Sequence, residues 1–282
     1  MEPQIDHPQQ TTVAADPAER VAAVAGRFEE YRGRYEVRRD RRAVCLLAFN
    51  MMYQELSWKL YNNNFGFDDP DWVADLAVEF AGLLFSSFDQ IDQAIELNPN
   101  SPDFSHIPRP WVDVHLAIND DRSSVLEDLL CGLIAHIGHD LPLALSMVGL
   151  ESNGTSRVRD FHRLNEVLGS LTDVVQTAIT RRFNRLLNIL DRLAGHTDEK
   201  ITDMTMHVSR AVAWYTAERL LDPASSEEVY ESMETVVVRT MGRMRPRTYH
   251  SKFVLWSTRT IVKGKRRWPR RFKDWRESRR TS

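Results

Sequence analysis

The chain has 282 residues, of which 42% are hydrophobic and 27% are charged, with a formal net charge of −3. The 12 glycines and 12 prolines exclude collagen-like and low-complexity classes, and the chain is too apolar to be wholly disordered. The two cysteines, Cys45 and Cys131, are too few for a disulfide framework or a multi-cysteine metal site.

The charge is unevenly distributed along the chain. Residues 263–282 hold ten lysines and arginines against Asp274 and Glu277, so this segment is +8 and residues 1–262 are −11. Its cations alternate with aromatic residues such as Trp268 and Trp275. This composition favours contact with an anionic membrane or a nucleic acid, and the alternative is a solvated extension without a partner.

The N-terminus is polar and lacks the apolar core of a secretory signal. The sequence pattern indicates Ala43 to Tyr53 as the longest apolar stretch, which is interrupted by Asn50 and is too short to span a bilayer. Cytoplasmic localisation, with both thiols reduced, is therefore the expectation.

The first half of the chain predicts four helices. Asp16 followed by Pro17 is a helix start signal, and Asp69 followed by Pro70 is another. A further helix is predicted from about residue 40 to 61. Four prolines between residues 96 and 110 exclude regular helix there, and a short helix is predicted from Trp111.

The second half of the chain continues the helical pattern. Ser124 opens a strongly apolar helix toward Leu150, and Pro142 should kink or break it near Gly138–Asp140. Residues 151–156 predict a loop. Three more helices are predicted, one ending at Leu193 before Gly195, one from Asp198 to about Leu221, and one from Ser225 to before Pro246.

These elements predict an all-α fold, a single bundle of about eight helices with a kinked central helix. The predicted organisation is a disordered segment at residues 1–15, a helical domain at 16–250 and a basic, aromatic extension at 251–282. There is no glycine-rich phosphate-binding loop, so the sequence assigns no cofactor.

The predicted central helix carries ionisable residues in an apolar setting. Gly132, His136 and Asp140 are spaced four apart and share a helix face, and His139 lies beside that face. Their neighbours are apolar, so this helix should be buried. Burying an imidazole and a carboxylate without partners costs several kcal/mol, so these groups must be satisfied.

Three interpretations of this pair remain open. His136 and Asp140 are a buried structural pair that fixes helix register, a general acid–base pair in which Asp140 orients His136, or part of a metal site. Four-residue spacing suits metal ligands, but no third or fourth ligand stands at a diagnostic distance.

Other polar residues could complete a site around His136. Asp160 and Asn165, on the next long helix, could form a polar floor, although a carboxylate at a helix start is also favoured by the helix dipole. In a later helix Arg210 could contact an anion and Trp214 could form an apolar wall, or both could lie on an exposed face. His115 is a further ligand-binding candidate.

Several segments together resemble one helical family. They are residues 67–73, Ala135 to Leu145 with the pattern Ala-His-Ile-x-x-Asp-Leu-Pro-x-Ala-Leu, Asp160-Phe161 with Asn165, and Ala213-Trp214. The family they resemble is a mainly bacterial one catalogued only as a domain of unknown function. Ile134 and Gly138 stand where its motif usually has asparagines. The resemblance covers about residues 40–220, and it implies a helical fold with a common buried polar centre.

The combined expectation is a helical enzyme or ligand-processing protein for a small, partly apolar molecule. His136, Asp140 and Asp160 would carry acid–base chemistry in a buried pocket. The alternatives are a non-catalytic binding module tethered to an anionic surface by residues 263–282, and a metal-dependent helical hydrolase or oxygenase.

Overall fold

The computed structural model describes residues 15–62, 66–119, 125–152, 154–169 and 210–244. The predicted disordered segment lies almost wholly outside these ranges. So do the helix end at Leu193, the helix start at Asp198 and the basic extension at 251–282. The described part is all-α, as predicted.

In chain order, the helices are α1 (Pro17–Arg38), α2 (Ala43–Tyr61), α3 (Pro70–Leu97), α4 (Arg109–Asn119), α5 (Val125–Ala135), α6 (Leu141–Val148), α7 (Val158–Gly169), α8 (residues 210–220) and α9 (Ser226–Met244). A five-residue π-helical turn, His136–Asp140, joins α5 to α6. Two short strands, β1 (Glu151–Ser152) and β2 (Thr155–Ser156), pair antiparallel where only a loop was predicted.

Both predicted aspartate start signals act as helix caps. The Asp16 carboxylate accepts a hydrogen bond from the backbone N–H of Ala18 at 2.8 Å, and that of Asp69 accepts one from Trp72 at 2.9 Å. Each satisfies one of the donors left open in a first helical turn, and a proline follows each cap. The sequence therefore determines these two boundaries locally.

Helices α1, α2 and α3 pack together through aromatic side chains. The Phe28 ring of α1 lies 4.8 Å from the Tyr53 ring of α2 and 4.6 Å from the Phe85 ring of α3, measured between centroids. A buried arginine at the start of α2, Arg42, forms an ion pair with Asp92 of α3 at 2.9 Å. This three-helix unit supports one side of the central helix.

The central helix runs through α5, the π-helical turn and α6. Its irregularity lies where Pro142 was predicted to disturb it, but the chain continues through a wider turn rather than breaking. Pro142 has no N–H to offer the carbonyl of Gly138, and the N–H of Leu141 bonds to the carbonyl of His136, five residues back. The predicted position of the irregularity is confirmed, and the structure shows that it is a π-helical turn rather than a break in the helix.

The same stretch, Glu127–Val148, is long and apolar enough by composition to span a bilayer, and 67% of its apolar window is buried inside the protein. At 22 residues, this stretch is longer than Ala43 to Tyr53, the apolar stretch that the sequence pattern indicated. Its burial by α2, α3, α4 and α9 accounts for its apolar character as a core element. Cytoplasmic localisation stays a prediction.

Candidate functional site

Asp140 lies at the centre of a buried hydrogen-bond cluster. One carboxylate oxygen is 2.8 Å from Nδ1 of His136, and the other is 2.7 Å from Nδ1 of His139. The indole Nε1–H of Trp111, from α4, donates to both oxygens at 3.0 and 3.2 Å. Asp140, His136 and His139 are each only 1% exposed. The predicted pairing of His136 with Asp140 is present, and two further donors complete it.

The environment sets the protonation of this pair. Complete burial lowers the pKa of His136 below its usual value, and the opposing attraction of Asp140 is the smaller effect. Burial alone would raise the pKa of Asp140, but the hydrogen bonds from the two histidines lower it. A neutral His136 thus faces an ionised Asp140, which can only accept hydrogen bonds. The proton of His136 consequently lies on Nδ1, and Nε2 carries a lone pair.

Aromatic rings hold the imidazole of His136 in place. The Phe80 ring of α3 stacks on it at a centroid distance of 3.5 Å and an interplanar angle of 6°. The Phe49 ring of α2 lies 4.6 Å away at a tilted angle. Its Nε2 atom is buried and has no hydrogen-bond partner among the described residues. The ring is therefore fixed on one side and left with an unsatisfied acceptor.

His136 also lines a cavity of about 50 Å³. At about 10–15 Å³ for each water, it has room for a few waters or a small organic group. Among the described residues its wall is mostly apolar, and its polar members are Tyr53, His136, Asn165 and Arg210. The remaining lining residues are Phe49, Met52, Leu56, Leu76, Ala77, Phe80, Leu133, Ile137, Leu141, Phe161 and Leu164. Small-molecule sites typically have this character, with few polar groups in an apolar wall.

Two residues predicted as ligand contacts line this cavity. Asn165 lies on α7 and Arg210 at the beginning of the described part of α8, and both are buried. Nη1 of Arg210 donates to the backbone carbonyl of Asn165 at 3.2 Å, which holds the two side by side. The structure therefore brings His136, Asn165 and Arg210 to one cavity.

Asp160 lies elsewhere, which corrects its predicted place beside His136. Its two carboxylate oxygens accept hydrogen bonds from the backbone N–H groups of Asp68 and Asp69, at 2.8 and 2.7 Å. It does not line the cavity. Asp160 is engaged in holding α7 to the chain that leads into α3, because an ionised carboxylate at a helix start can accept from two neighbouring N–H groups.

Trp214 and His115 also lie apart from the cavity. Trp214 donates its indole N–H to Glu218 at 2.9 Å and lines a separate surface depression with Leu150, Glu151 and Leu221. His115 is buried in α4, with its ring edge-on to Phe104 at 5.7 Å. Arg210, four residues before Trp214 on the same helix, lines the cavity; Trp214 does not, although its ring lies 5.1 Å from that of Phe161, which does. The predicted common wall does not form.

Sequence reasoning missed the other partners of this centre. Trp111 contacts Asp140 and Phe80 stacks on His136, and both come from other helices. Residue spacing does not predict how those helices pack against the central helix. Nε2 of His139 lies 3.4 Å from the hydroxyl of Tyr230 in α9, and Glu234 accepts a hydrogen bond from the backbone N–H of Arg109 at 3.0 Å. The one available signal was the position of His139 next to Asp140.

The described residues contain no group of three or more His, Cys, Asp and Glu side chains that could hold a metal ion. The carboxylate of Asp160 accepts hydrogen bonds from backbone N–H groups, as described above.

Comparison with known proteins identifies a family without a described activity. Searches of curated proteins and of solved structures give no significant match. The sequence profile of a family of unknown function, DUF5995, matches residues 21–245, which include the whole central helix and every described residue of the cavity wall. Since this match extends over most of the sequence, the chain belongs to the DUF5995 family.

Proposed function

We propose that this protein binds a small, largely apolar molecule in the His136 cavity and acts on it by acid–base chemistry. His136 is the group that accepts the proton, and Asp140 is its positioning residue. The observations that carry this proposal are that His136 lines the cavity and that its buried Nε2 atom has no hydrogen-bond partner among the described residues.

An unsatisfied buried acceptor is costly, by about 1–3 kcal/mol. A purely structural role accounts for the Nδ1–Asp140 hydrogen bond, because that contact joins the two ends of the π-helical turn. It leaves the Nε2 side of the ring unexplained. A ligand with an O–H or N–H group would satisfy this atom, and the apolar wall would hold the carbon atoms of the ligand.

The proposed step is a proton transfer. The Nε2 lone pair takes the proton from the O–H or N–H of the ligand, and the electron pair of that bond stays on the ligand atom. The imidazolium that forms keeps its Nδ1–H on Asp140, whose negative charge stabilises it. A histidine that is neutral at pH 7 is ready to accept without first losing a proton.

Two isosteric probes test the acceptor role. 2-Propanol offers an O–H donor, whereas acetone has the same number of heavy atoms and only accepts. We expect 2-propanol at millimolar concentrations to shift the ¹⁵N resonance of His136 Nε2 in the labelled full-length protein and acetone to leave it unchanged. Equal responses to the two probes, or none to 2-propanol, would refute the proposal.

A cavity-filling variant supplies the control. Leu133→Trp introduces bulk at a lining residue and should abolish the 2-propanol shift. Leu130→Trp changes a half-buried residue of the same helix that does not line the cavity, and it should preserve the shift. Thermal unfolding curves of the two variants check that both remain folded, so that a lost shift can be assigned to the filled cavity.

A further inference from the structure

Trp111 donates one hydrogen bond that both oxygens of the buried Asp140 carboxylate share. Its indole Nε1 lies 3.0 Å from the oxygen that also binds His136 and 3.2 Å from the oxygen that also binds His139. Trp111 is fully buried, so this contact lies in the low-dielectric interior, where a hydrogen bond to a charged group is stronger than in water.

Contacts with other helices fix the position of the Trp111 ring. The ring lies edge-on to Phe88 of α3, with centroids 5.2 Å apart and planes at 90°. The start of α4, two residues before Trp111, is held by the hydrogen bond from the backbone N–H of Arg109 to Glu234 of α9 at 3.0 Å. The indole N–H is therefore aimed at Asp140 by the packing of three helices.

We infer that Trp111 is a positioning residue for the proposed proton transfer. Its indole N–H orients the carboxylate of Asp140 and limits how strongly that carboxylate favours a protonated His136. This inference rests on the proposed function and adds the residue that sets the base strength of His136. Trp111 is not among the described residues that line the cavity, and it acts through Asp140.

The physical reason is competition for the charge of one carboxylate. Burial lowers the pKa of His136, and the hydrogen bond and attraction of Asp140 oppose that effect. An N–H that donates to Asp140 stabilises its negative charge, so Asp140 gains less from a positive His136 beside it. Without the indole N–H, Asp140 would act more strongly on His136, and the pKa of His136 would rise.

A moderated carboxylate suits both stages of the proposed step. If Asp140 acted too strongly, His136 would already hold a second proton at neutral pH and could not accept one from the ligand. If Asp140 were absent, the imidazolium that forms in an apolar site would lack a counter-charge. The hydrogen bond from Trp111 keeps His136 free to accept while the counter-charge stays in place.

Substitution at Trp111 leaves the other ionisable groups of this region unchanged. Besides Asp140, those in the described part of the chain are His139 on the central helix, Tyr53 of α2, Arg210 of α8, and, beyond His139, Tyr230 and Glu234 of α9. Each acts on His136 in the wild type and in the variants alike. A change in the titration of His136 therefore reports the lost indole N–H.

Two substitutions that remove the indole N–H test the inference. Trp111→Phe also removes bulk, whereas Trp111→3-benzothienylalanine keeps the outline of the indole and has sulfur in place of the N–H. We expect each to increase the ratio of protonated to neutral His136 at pH 5.5 by about threefold or more, a shift of about half a pH unit. The ¹⁵N resonances of His136 in the labelled full-length protein, assigned with His136→Gln, provide the measurement.

Trp72 offers a matched control. It is also a buried tryptophan, and its indole N–H donates to the backbone carbonyl of Gly149 at 2.8 Å instead of to a carboxylate. The same two substitutions at Trp72 should leave the titration of His136 unchanged. An unchanged ratio in the folded Trp111 variants, or an equal change in the Trp72 variants, would overturn the inference.

Failure of the inference and failure of the proposed function give different results. If 2-propanol shifts His136 Nε2 in the wild type but the Trp111 substitutions do not change the titration, the inference is wrong and the proposed function stands. If 2-propanol has no effect on the wild type, both are wrong, because no reaction remains for Trp111 to support. If Trp111→Phe does not fold, the 3-benzothienylalanine variant, which keeps the apolar contacts of the ring, decides by itself.

Discussion

At the scale of single residues, the decisive feature is that Asp140 accepts from three N–H groups. Hydrogen bonds from Trp111, His136 and His139 keep Asp140 ionised in a fully buried position. Because the carboxylate holds the proton of His136 on Nδ1, the opposite nitrogen, Nε2, is left as an acceptor. The hydrogen bond from His136 to Asp140, one helical turn away, thereby sets both the tautomer and the orientation of the His136 ring.

The lowered pKa of His136 predicts a loss of stability on acidification. The unfolded chain takes up a proton at His136 near pH 6.5, whereas the folded protein does so only at lower pH. Below about pH 6.5, the unfolded state therefore binds more protons, and the free energy of unfolding falls by up to about 1.4 kcal/mol per pH unit for this group. The contribution of Asp140 differs, because its lowered pKa places its loss below about pH 4.

Denaturant unfolding between pH 8 and pH 5 measures this slope. His136→Gln removes the titrating group and should flatten the curve below pH 6.5 relative to the wild-type protein. His162→Gln, at an exposed position of α7, should reproduce the wild-type slope. Identical slopes in all three proteins would contradict the assignment to His136.

At the scale of elements, α9 packs closely against the π-helical turn at Gly138. A Cβ atom added at Gly138 would lie 2.8 Å from Cγ2 of Val237, which is well inside van der Waals contact. The side of α9 that packs there also carries Tyr230 and Glu234 close to His139. The absence of a side chain at residue 138 is what allows α9 to rest against the turn.

Gly138→Ala should therefore lower the free energy of unfolding by about 1–3 kcal/mol, as expected for overpacking. The double variant with Val237→Ala should recover part of this loss, because it removes the clashing methyl group. The control is Gly82→Ala in α3, where no atom lies within 4 Å of an added Cβ, and it should be neutral or stabilising. Thermal or denaturant unfolding of the wild type, the three single variants Gly138→Ala, Val237→Ala and Gly82→Ala, and the double variant provides the measurement. Additive effects of Gly138→Ala and Val237→Ala would contradict the contact.

At the scale of the whole molecule, Asp160 connects segments about ninety residues apart. Its bonds to the N–H groups of Asp68 and Asp69 link the start of α7 to the segment that leads into α3. Arg163, one turn further along α7, adds an ion pair to Asp68 at 3.0 Å. These contacts hold the start of α7, the helix that carries the lining residue Asn165.

Asp160→Asn should reduce the free energy of unfolding by about 1–3 kcal/mol, because one N–H acceptor is lost at a buried position. The same variant should leave the 2-propanol response of His136 nearly unchanged, since Asp160 does not line the cavity. Glu166→Gln, exposed on the same helix, is the control and should affect neither property. If a fully folded Asp160→Asn protein lost the 2-propanol response, the conclusion that Asp160 takes no part in the cavity site would be wrong.

The sequence by itself determined the features that depend on neighbours within a few residues. The starts of α1 and α3 follow from Asp16 and Asp69, the irregular turn follows from Pro142, and the His136–Asp140 contact follows from a spacing of four along one helix. Helical geometry places such residues together whatever the rest of the chain does.

Only the tertiary structure decided which distant side chains meet. It placed Asn165 and Arg210 at the His136 cavity, left Trp214 and His115 outside it, and assigned Asp160 to a backbone contact. It also stacked Phe80 on His136 and brought Trp111 to Asp140. These contacts join separate helices. Which side chains meet across two helices depends on how the helices pack together, and residue spacing within one helix does not predict that packing.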